Sequence, residues 1–419
     1  MRRVDLQSES TETGTPRAVA EAARPVRTRR ADRGGALAVA FTAGALFLVT
    51  AAVNLPAPLY AAYADSAGFG TGAATLAFAC YVAGLVPVLL FLGGLSDRIG
   101  RKPPILAALV LTTAATALLI ERPSLASLAV ARLLYGVGTG LITGTGTAFM
   151  VELMRDRAAT ADEASRRGAF AVTASTSLGF GTGALATGLW LIAAGRESLT
   201  PGSYALYLPL AALGFASLLL LVPEERRPRP TAWVRLPVFP PGTAVYGAAI
   251  LIAWATVGLV ISVFPAALRA HGLAGWSGFS TFLVISTGLL VQPLARGMAP
   301  LKALGIGLAL VPVGFAALAA GALLPSLPLV LVGAALVSFA AYGFTYLGGL
   351  AAVSAAADEA TRARAASGYF LFAYFGFSVP VITSGFLADR FGLPTAFLAF
   401  GLATAAASGA VALAIRSRR

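Results

Sequence analysis

Apolar and polar residues do not alternate along this chain at helical or strand spacing. Apolar residues fill long uninterrupted blocks, and short polar, Arg-bearing segments separate them. A block of about 20 apolar residues is what an α-helix needs to cross the hydrocarbon core of a bilayer. Twelve blocks predict spans near 36–60, 72–95, 103–121, 125–151, 168–193, 204–222, 244–266, 276–295, 303–323, 328–351, 366–386 and 394–415. Lipid offers no water to a backbone N–H or C=O, so each span must be a helix that satisfies its own backbone. Pro56, Pro87 and Pro380 fall inside spans and are tolerable where neighbouring helices cover the freed groups.

The polar segments fix orientation and organisation. Of the 31 Lys and Arg residues, 26 lie on the side that holds the N-terminus, and four (Arg122, Arg196, Arg269 and Arg390) lie on the other. Arg132 stands within a span. Cytoplasmic loops carry the excess of positive charge, so both termini are expected in the cytoplasm of a multi-pass cytoplasmic (inner) membrane protein. Residues 1–35 read as a polar, disordered cytoplasmic tail rather than a cleaved signal. The Pro- and Arg-rich segment 223–243 reads as a cytoplasmic linker between two six-helix bundles, 36–222 and 244–415, with a cytoplasmic end at 416–419. The fold class expected is therefore an all-α membrane protein of twelve transmembrane helices in two pseudo-symmetric bundles, the layout of transporters assembled from repeats.

Composition narrows the chemistry. The chain is 58% hydrophobic and 12% charged, about half the charged fraction of an ordinary soluble domain. Its net charge of +13 does not imply a nucleic-acid partner, because the basic residues sit between the apolar blocks. One cysteine, Cys80, precludes an intramolecular disulfide. One histidine, His271, and no carboxylate deep in a span leave nothing for a metal centre or an acid–base site, so no enzyme, metal or cofactor is expected. No Gly-rich phosphate loop followed by Lys and Ser/Thr is present, which argues against direct drive by ATP.

The segment after span two reads Gly93-Gly94-Leu95-Ser96-Asp97-Arg98-Ile99-Gly100-Arg101-Lys102. It resembles the G-x-L-x-D-R-x-G-R-K signature of the major facilitator superfamily, at the position and on the side where that family carries it. The glycines allow two helices to approach closely, Asp97 can face a helix N-terminus, and Arg98, Arg101 and Lys102 hold the loop in the cytoplasm. The resemblance implies that this cluster latches the two halves when the cavity opens outward, with Glu152 in span four as the acidic partner.

Span four carries Arg132-Leu133-Leu134-Tyr135-Gly136-Val137-Gly138, similar to the family's R-x-x-Q-G-x-G motif with Tyr135 in place of Gln. Arg132 is roughly 10 Å into its helix, where a charge must face protein or water or else snorkel to the surface. The expected role is a cavity-side charge, with Tyr135 and Gly136, that tunes coupling or meets substrate. Gly179 and Gly183 of span five match the exporters' G-x-x-x-G-P-x-x-G-G motif, whereas Phe180 replaces its Pro and Ser175 and Ala184 two of its Gly. Small residues at this spacing also permit tight helix packing. Asn54-Leu55-Pro56-Ala57-Pro58-Leu59 is similar to the end of the first helix of drug exporters. In the second half Gln292-Pro293-Leu294-Ala295-Arg296 is a worn counterpart of the first loop, and Gly385-Phe386-Leu387-Ala388-Asp389-Arg390-Phe391-Gly392 lies between the last two spans on the outside.

Asp65 and Glu121 are placed at the outer mouth, Asp97 and Glu152 at the inner one, and none in the interior. Multivalent cations are thus poor candidates for cargo, and a neutral amphipathic or weakly anionic molecule fits better, with Arg132 as a partner for the anion. Asn54, Tyr135, Thr176, Trp254, Gln292, Tyr342, Tyr346 and Tyr369 are the candidate cavity side chains. The function expected from the resemblance is a secondary active exporter of a small hydrophobic or amphipathic drug or metabolite, by proton antiport with alternating access, working in the bilayer as a monomer. The alternative is an uptake carrier or facilitator for a sugar or organic acid on the same fold.

Overall fold

The computed structural model describes residues 29–155, 157–224, 234 and 236–417. The expected tail lies almost wholly outside the described residues, as do the centre of the 223–243 linker and the last two residues of the 416–419 end. Among the described residues twelve helical spans are long and apolar enough to cross a membrane: α1 Gly35–Ser66, α2 Thr71–Phe91, α3 Lys102–Glu121, α4 Leu125–Arg155, α5 Ala161–Ala194, α6 Gly202–Leu221, α7 Ala244–Arg269, α8 Trp276–Arg296, α9 Pro300–Leu323, α10 Leu327–Ala355, α11 Arg362–Phe391 and α12 Leu393–Arg416. Several overrun their apolar blocks, because capping rather than hydropathy ends a helix. At α5, the N-cap Thr160 accepts from Glu163 N (3.2 Å) while the Glu163 carboxylate accepts from Ala159 N (2.8 Å), one residue before the cap, a pair akin to a capping box that starts the helix in polar sequence.

Four spans are not continuous α-helices. Helix α1 turns at Leu55-Pro56 after Asn54, passes through a 3₁₀ turn at Ala57–Leu59 and resumes at Tyr60. Helix α7 breaks at Val263, just before Phe264–Arg269. Each break holds a proline that cannot donate to the helix ladder, in the parallel strings Leu55-Pro56-Ala57-Pro58-Leu59 and Phe264-Pro265-Ala266-Ala267-Leu268. Helix α8 contains a 3₁₀ stretch, Thr287–Val291, beside a π-helical stretch of α10, Phe339–Thr345. Ser338 Oγ joins them by accepting from Gly288 N at 2.7 Å.

Packing follows the same repeat. In the first half α2 packs on α4, α1 on α5 and α3 on α4; in the second α7 packs on α11 and α9 on α10. Small residues set these approaches. A side chain at Gly136 would run into the backbone of α2 at Tyr81, and one at Gly183 into the backbone of α1 at Ala51. In the second half Gly376 stands in the same relation to Leu251. Helix α7 is central, with 83% of its apolar window buried, against 22% for each of α6 and α12, which face outward. The halves meet along two seams, α2 with α11 and α5 with α8. Gly188 lies against Gly275 and Gly278 in the second seam.

Candidate functional site

Between the halves lies a cavity of about 490 Å³, lined from Val53, Asn54 and Trp254 at its head to Leu92, Gly93, Thr147 and Arg364 at its mouth. The mouth is at the end of the bundle where the chain's first and last spans begin and finish, the Arg-rich end. The opposite end is closed by contacts that cross the halves. Arg269 of α7 donates from Nε to Glu197 Oε2 (2.7 Å), beyond α5, and pairs through Nη1 with Asp65 of α1. Asp389 of α11 accepts from the first backbone N–H groups of α2, Thr71 N at 2.6 Å and Gly72 N at 2.9 Å. A carboxylate there meets unsatisfied donors and the positive end of the helix dipole together.

At the open end Arg101 is the hub. It donates to Asp97 Oδ1 (2.6 Å), Ser96 Oγ (2.8 Å) and Glu152 Oε1 (3.1 and 3.2 Å). Burial disfavours its charge, but the bonds and ion pairs with Glu152 and Asp97 outweigh that and hold its pKa above the ordinary arginine value. The Glu224 carboxylate accepts from Arg101 N and from Lys102 N (3.0 Å), capping α3. Gly100 sits at φ +99°, which lets the chain turn from the short helix Leu95–Ile99 into α3. The predicted cluster of Asp97, Gly100, Arg101 and Glu152 is therefore one physical group, with Arg98 in the same short helix and Gly93 on the cavity wall.

Arg132 is fully buried at the head of the cavity rather than snorkelling to a surface. Its Nη1 donates to Val53 O (2.9 Å), beside the break in α1, and its Nε to Phe78 O (3.4 Å). Its guanidinium carbon lies 4.6 Å from the ring centre of Tyr81 and 4.9 Å from that of Phe78. Carbonyl oxygens and aromatic faces thus stand in for a counter-ion, a cation–π arrangement strengthened by desolvation.

Asn54 is also on the wall, with Nδ2 donating to Phe180 O of α5 (3.0 Å). Thr176, Trp254, Gln292, Tyr342 and Tyr346 line the cavity as expected of them. Tyr135 does not: its hydroxyl bonds Thr116 of α3 at 2.9 Å, inside the first half. Tyr369 likewise turns away and donates to Thr345 O at 2.8 Å. Azimuth around the helix decides both, since each ring leaves its helix on the face that packs within its own half. Gly136, Gly179 and Gly183 are packing positions, the last two holding α5 against α1 at Phe47 and Ala51.

Several participants were not singled out from sequence. Tyr81, Tyr374 and Phe377 complete the wall opposite Asn54. The role of Asp389 was signalled by its own string, Gly385–Gly392, which repeats G-x-L-x-D-R-x-G. Glu197 and Glu224, in loops, carried no pattern that marks them.

The Major Facilitator Superfamily model matches residues 42–301. A stretch of 82 residues, 20% of this chain, is 35% identical to the multidrug resistance protein MdtL of Shewanella sp. (strain ANA-3); the match spans 21% of that protein's length. Among solved structures, the nucleoside transporter NupG superposes with a TM-score of 0.72 at 14% identity, over 91% of this chain and 99% of that one. A POT family transporter in complex with 5-aminolevulinic acid gives 0.71 at 13% identity, over 91% and 96%. At such identities the likeness is one of fold.

Proposed function

The chain belongs to the major facilitator superfamily, and from that premise we propose that it exports a small hydrophobic or amphipathic molecule by proton antiport. The observation that carries this reading is the inter-half cavity, open at one end and closed at the other by contacts that a rocking of the halves would exchange. The excess of basic residues at the open end supports placing the mouth and both chain ends in the cytoplasm. A molecule then enters from the cytoplasm or the inner leaflet and leaves after the far-end contacts part. One chain encloses the whole cavity, so a monomer suffices.

The wall is mostly apolar, with a few polar groups such as Asn54, Thr176 and Gln292 to orient a ligand. Export is supported by the stretch shared with a multidrug resistance protein. Coupling falls to carboxylates at the two ends, Asp97 with Arg101 and Asp65 with Arg269. Protonating Asp65 removes one of the two ion pairs of Arg269 that cross the halves at the closed end, and protonating Asp97 frees Arg101 for other partners as the open end shuts, which ties proton occupancy to the arrangement of the two ends.

Accumulation of labelled amphipathic compounds in inside-out vesicles, with and without an imposed proton gradient, tests the reading. Gradient-driven accumulation that disappears in Asp97→Asn is expected. Equilibration that ignores the gradient would overturn antiport and leave a facilitator.

A further inference from the structure

The head of the cavity has a corner built from aromatic rings of three helices of the second half. Trp254 of α7 lies 5.6 Å from Tyr342 of α10 with the ring planes at 43°, and 5.9 Å from both Tyr374 and Phe377 of α11, at 82° and 63°. All four line the cavity. Tyr342 stands in the π-helical stretch Phe339–Thr345, and its carbonyl is taken up by Gln292 Nε2 at 3.3 Å. Such stretches are rare and recur at functional sites. The Trp254 indole N–H is buried with no hydrogen-bond partner among the described residues. Most buried donors are paired, and an acceptor arriving with a ligand would supply this one as the ring shifts to admit it.

Charge decides what the corner takes. Aromatic rings alone would suit a cation. Here that role is filled, because Arg132 already lies against Tyr81, which in turn meets Phe377 at 6.3 Å. Among the described residues that line the cavity, Arg132 and Arg364 are the only Asp, Glu, Lys, Arg or His. A second cation at the corner would face the Arg132 charge across a medium of low dielectric with no carboxylate to offset it. A flat, uncharged or anionic ring meets only favourable surfaces.

We propose that Trp254, Tyr342, Tyr374 and Phe377 form the subsite for a planar aromatic, non-cationic part of the transported molecule. The proposal rests on the reading of this cavity as the transport pathway. Replacing Trp190, Trp233 and Trp276 by Phe leaves Trp254 as the sole tryptophan of the purified full chain. Coumarin, coumarin carboxylate and a trimethylammonium coumarin are then titrated against its fluorescence. Calorimetric titration of the unsubstituted chain gives the same ranking if the triple variant does not fold. Saturable quenching by the first two, with the cation at least tenfold weaker, is expected. Tyr342→Leu and Tyr374→Leu should each weaken the neutral ring about tenfold, and Tyr342→Phe should retain it. A cation that binds as tightly, or ring variants with unchanged affinity, would overturn the subsite. Movement of coumarin in proteoliposomes separates the two claims. Transport without quenching of Trp254 sinks the subsite and leaves the transporter, whereas saturable binding without movement sinks the transporter and leaves the subsite.

Discussion

The same eight-residue string, G-x-L-x-D-R-x-G, occurs at 93–100 and at 385–392, at opposite ends of the bundle. The first copy runs through a break at Leu92–Gly94 into the short helix Leu95–Ile99, whereas the second is the last part of the continuous α11, but the two end alike. Each ends in a glycine with positive φ, +99° at Gly100 and +83° at Gly392, and each feeds a helix with proline in its first turn, α3 or α12. Their contacts differ. At the open end Asp97 pairs with Arg101 of its own segment, and α3 is capped by Glu224 at the start of the linker that follows α6. At the closed end Asp389 reaches across the seam and caps α2 of the other half. One sequence string thus serves as an internal brace where the halves stand apart and as a clasp where they meet. Which it is depends on whether a helix N-terminus of the other half lies within reach.

The most damaging change to this asymmetry is Asp389→Asn. It removes the charge from two hydrogen bonds, each worth about 1.5–3 kcal/mol when one partner is ionised. A loss of about 3 kcal/mol in total would move the equilibrium between closed and open far ends roughly 150-fold. Distances between spin labels at the far ends of α2 and α11 should lengthen, and transport should fall at least tenfold. Unchanged distances would mean that the glycine-lined seams alone keep this end shut.

Asp97→Asn sharpens the comparison from the other side. The pair it breaks with Arg101 is largely buried and internal to the first half, and Arg101 keeps Glu152. The closed far end should therefore be unaltered, with transport impaired because the brace cannot become a clasp when the open end shuts. Labels at the far end that moved as much as in Asp389→Asn would remove the distinction between the two copies.

Arg269→Gln should have a smaller effect. Its partners Asp65 and Glu197 are half-exposed to solvent, and such ion pairs contribute about 0–1 kcal/mol each and are screened by salt. The far-end distances should shift a few-fold in population at low salt and hardly at all at 0.5 M or above (roughly a 4 Å screening length). A response independent of salt would show that Arg269 acts through packing instead.

Hydropathy made the twelve spans legible because lipid admits so few alternatives, and Arg101 with Asp97 and Glu152 could be grouped because a motif marked them. What sequence could not give was side-chain direction. Tyr135 and Arg132 are neighbours in one motif, yet Arg132 heads the cavity while Tyr135 bonds into the α3 face, since three residues of helix do not return to the same azimuth. The breaks in α8 and α10 were equally hidden. Runs such as Thr287–Val291 and Phe339–Thr345 are as apolar as their flanks, and only packing against each other selects 3₁₀ or π geometry. Asp389 had a visible motif but no visible partner, because Thr71 and Gly72 contribute backbone rather than side chain.

The smallest expected effect is the difference between the two turning glycines. Gly100 (φ +99°, ψ 172°) and Gly392 (φ +83°, ψ 158°) share an extended, positive-φ conformation that is essentially restricted to glycine, so Gly100→Ala and Gly392→Ala carry a common backbone penalty of about 1–3 kcal/mol. Their surroundings differ. A Cβ at Gly100 would come to 2.7 Å from the Glu224 carboxylate that caps α3, whereas one at Gly392 would meet only Pro394 Cδ at 3.7 Å, an ordinary contact. Gly100→Ala must therefore displace Glu224 or lose the cap, adding about 1 kcal/mol. In thermal melts of the detergent-solubilised protein both variants should melt lower, Gly100→Ala by more. Adding Glu224→Gln should abolish most of that difference, because the cap that Gly100→Ala disturbs is then already weakened. Equal melting points for the two alanine variants would mean that Glu224 moves aside freely and that the cap at the open end, unlike the clasp at the closed one, contributes little to holding the structure in place.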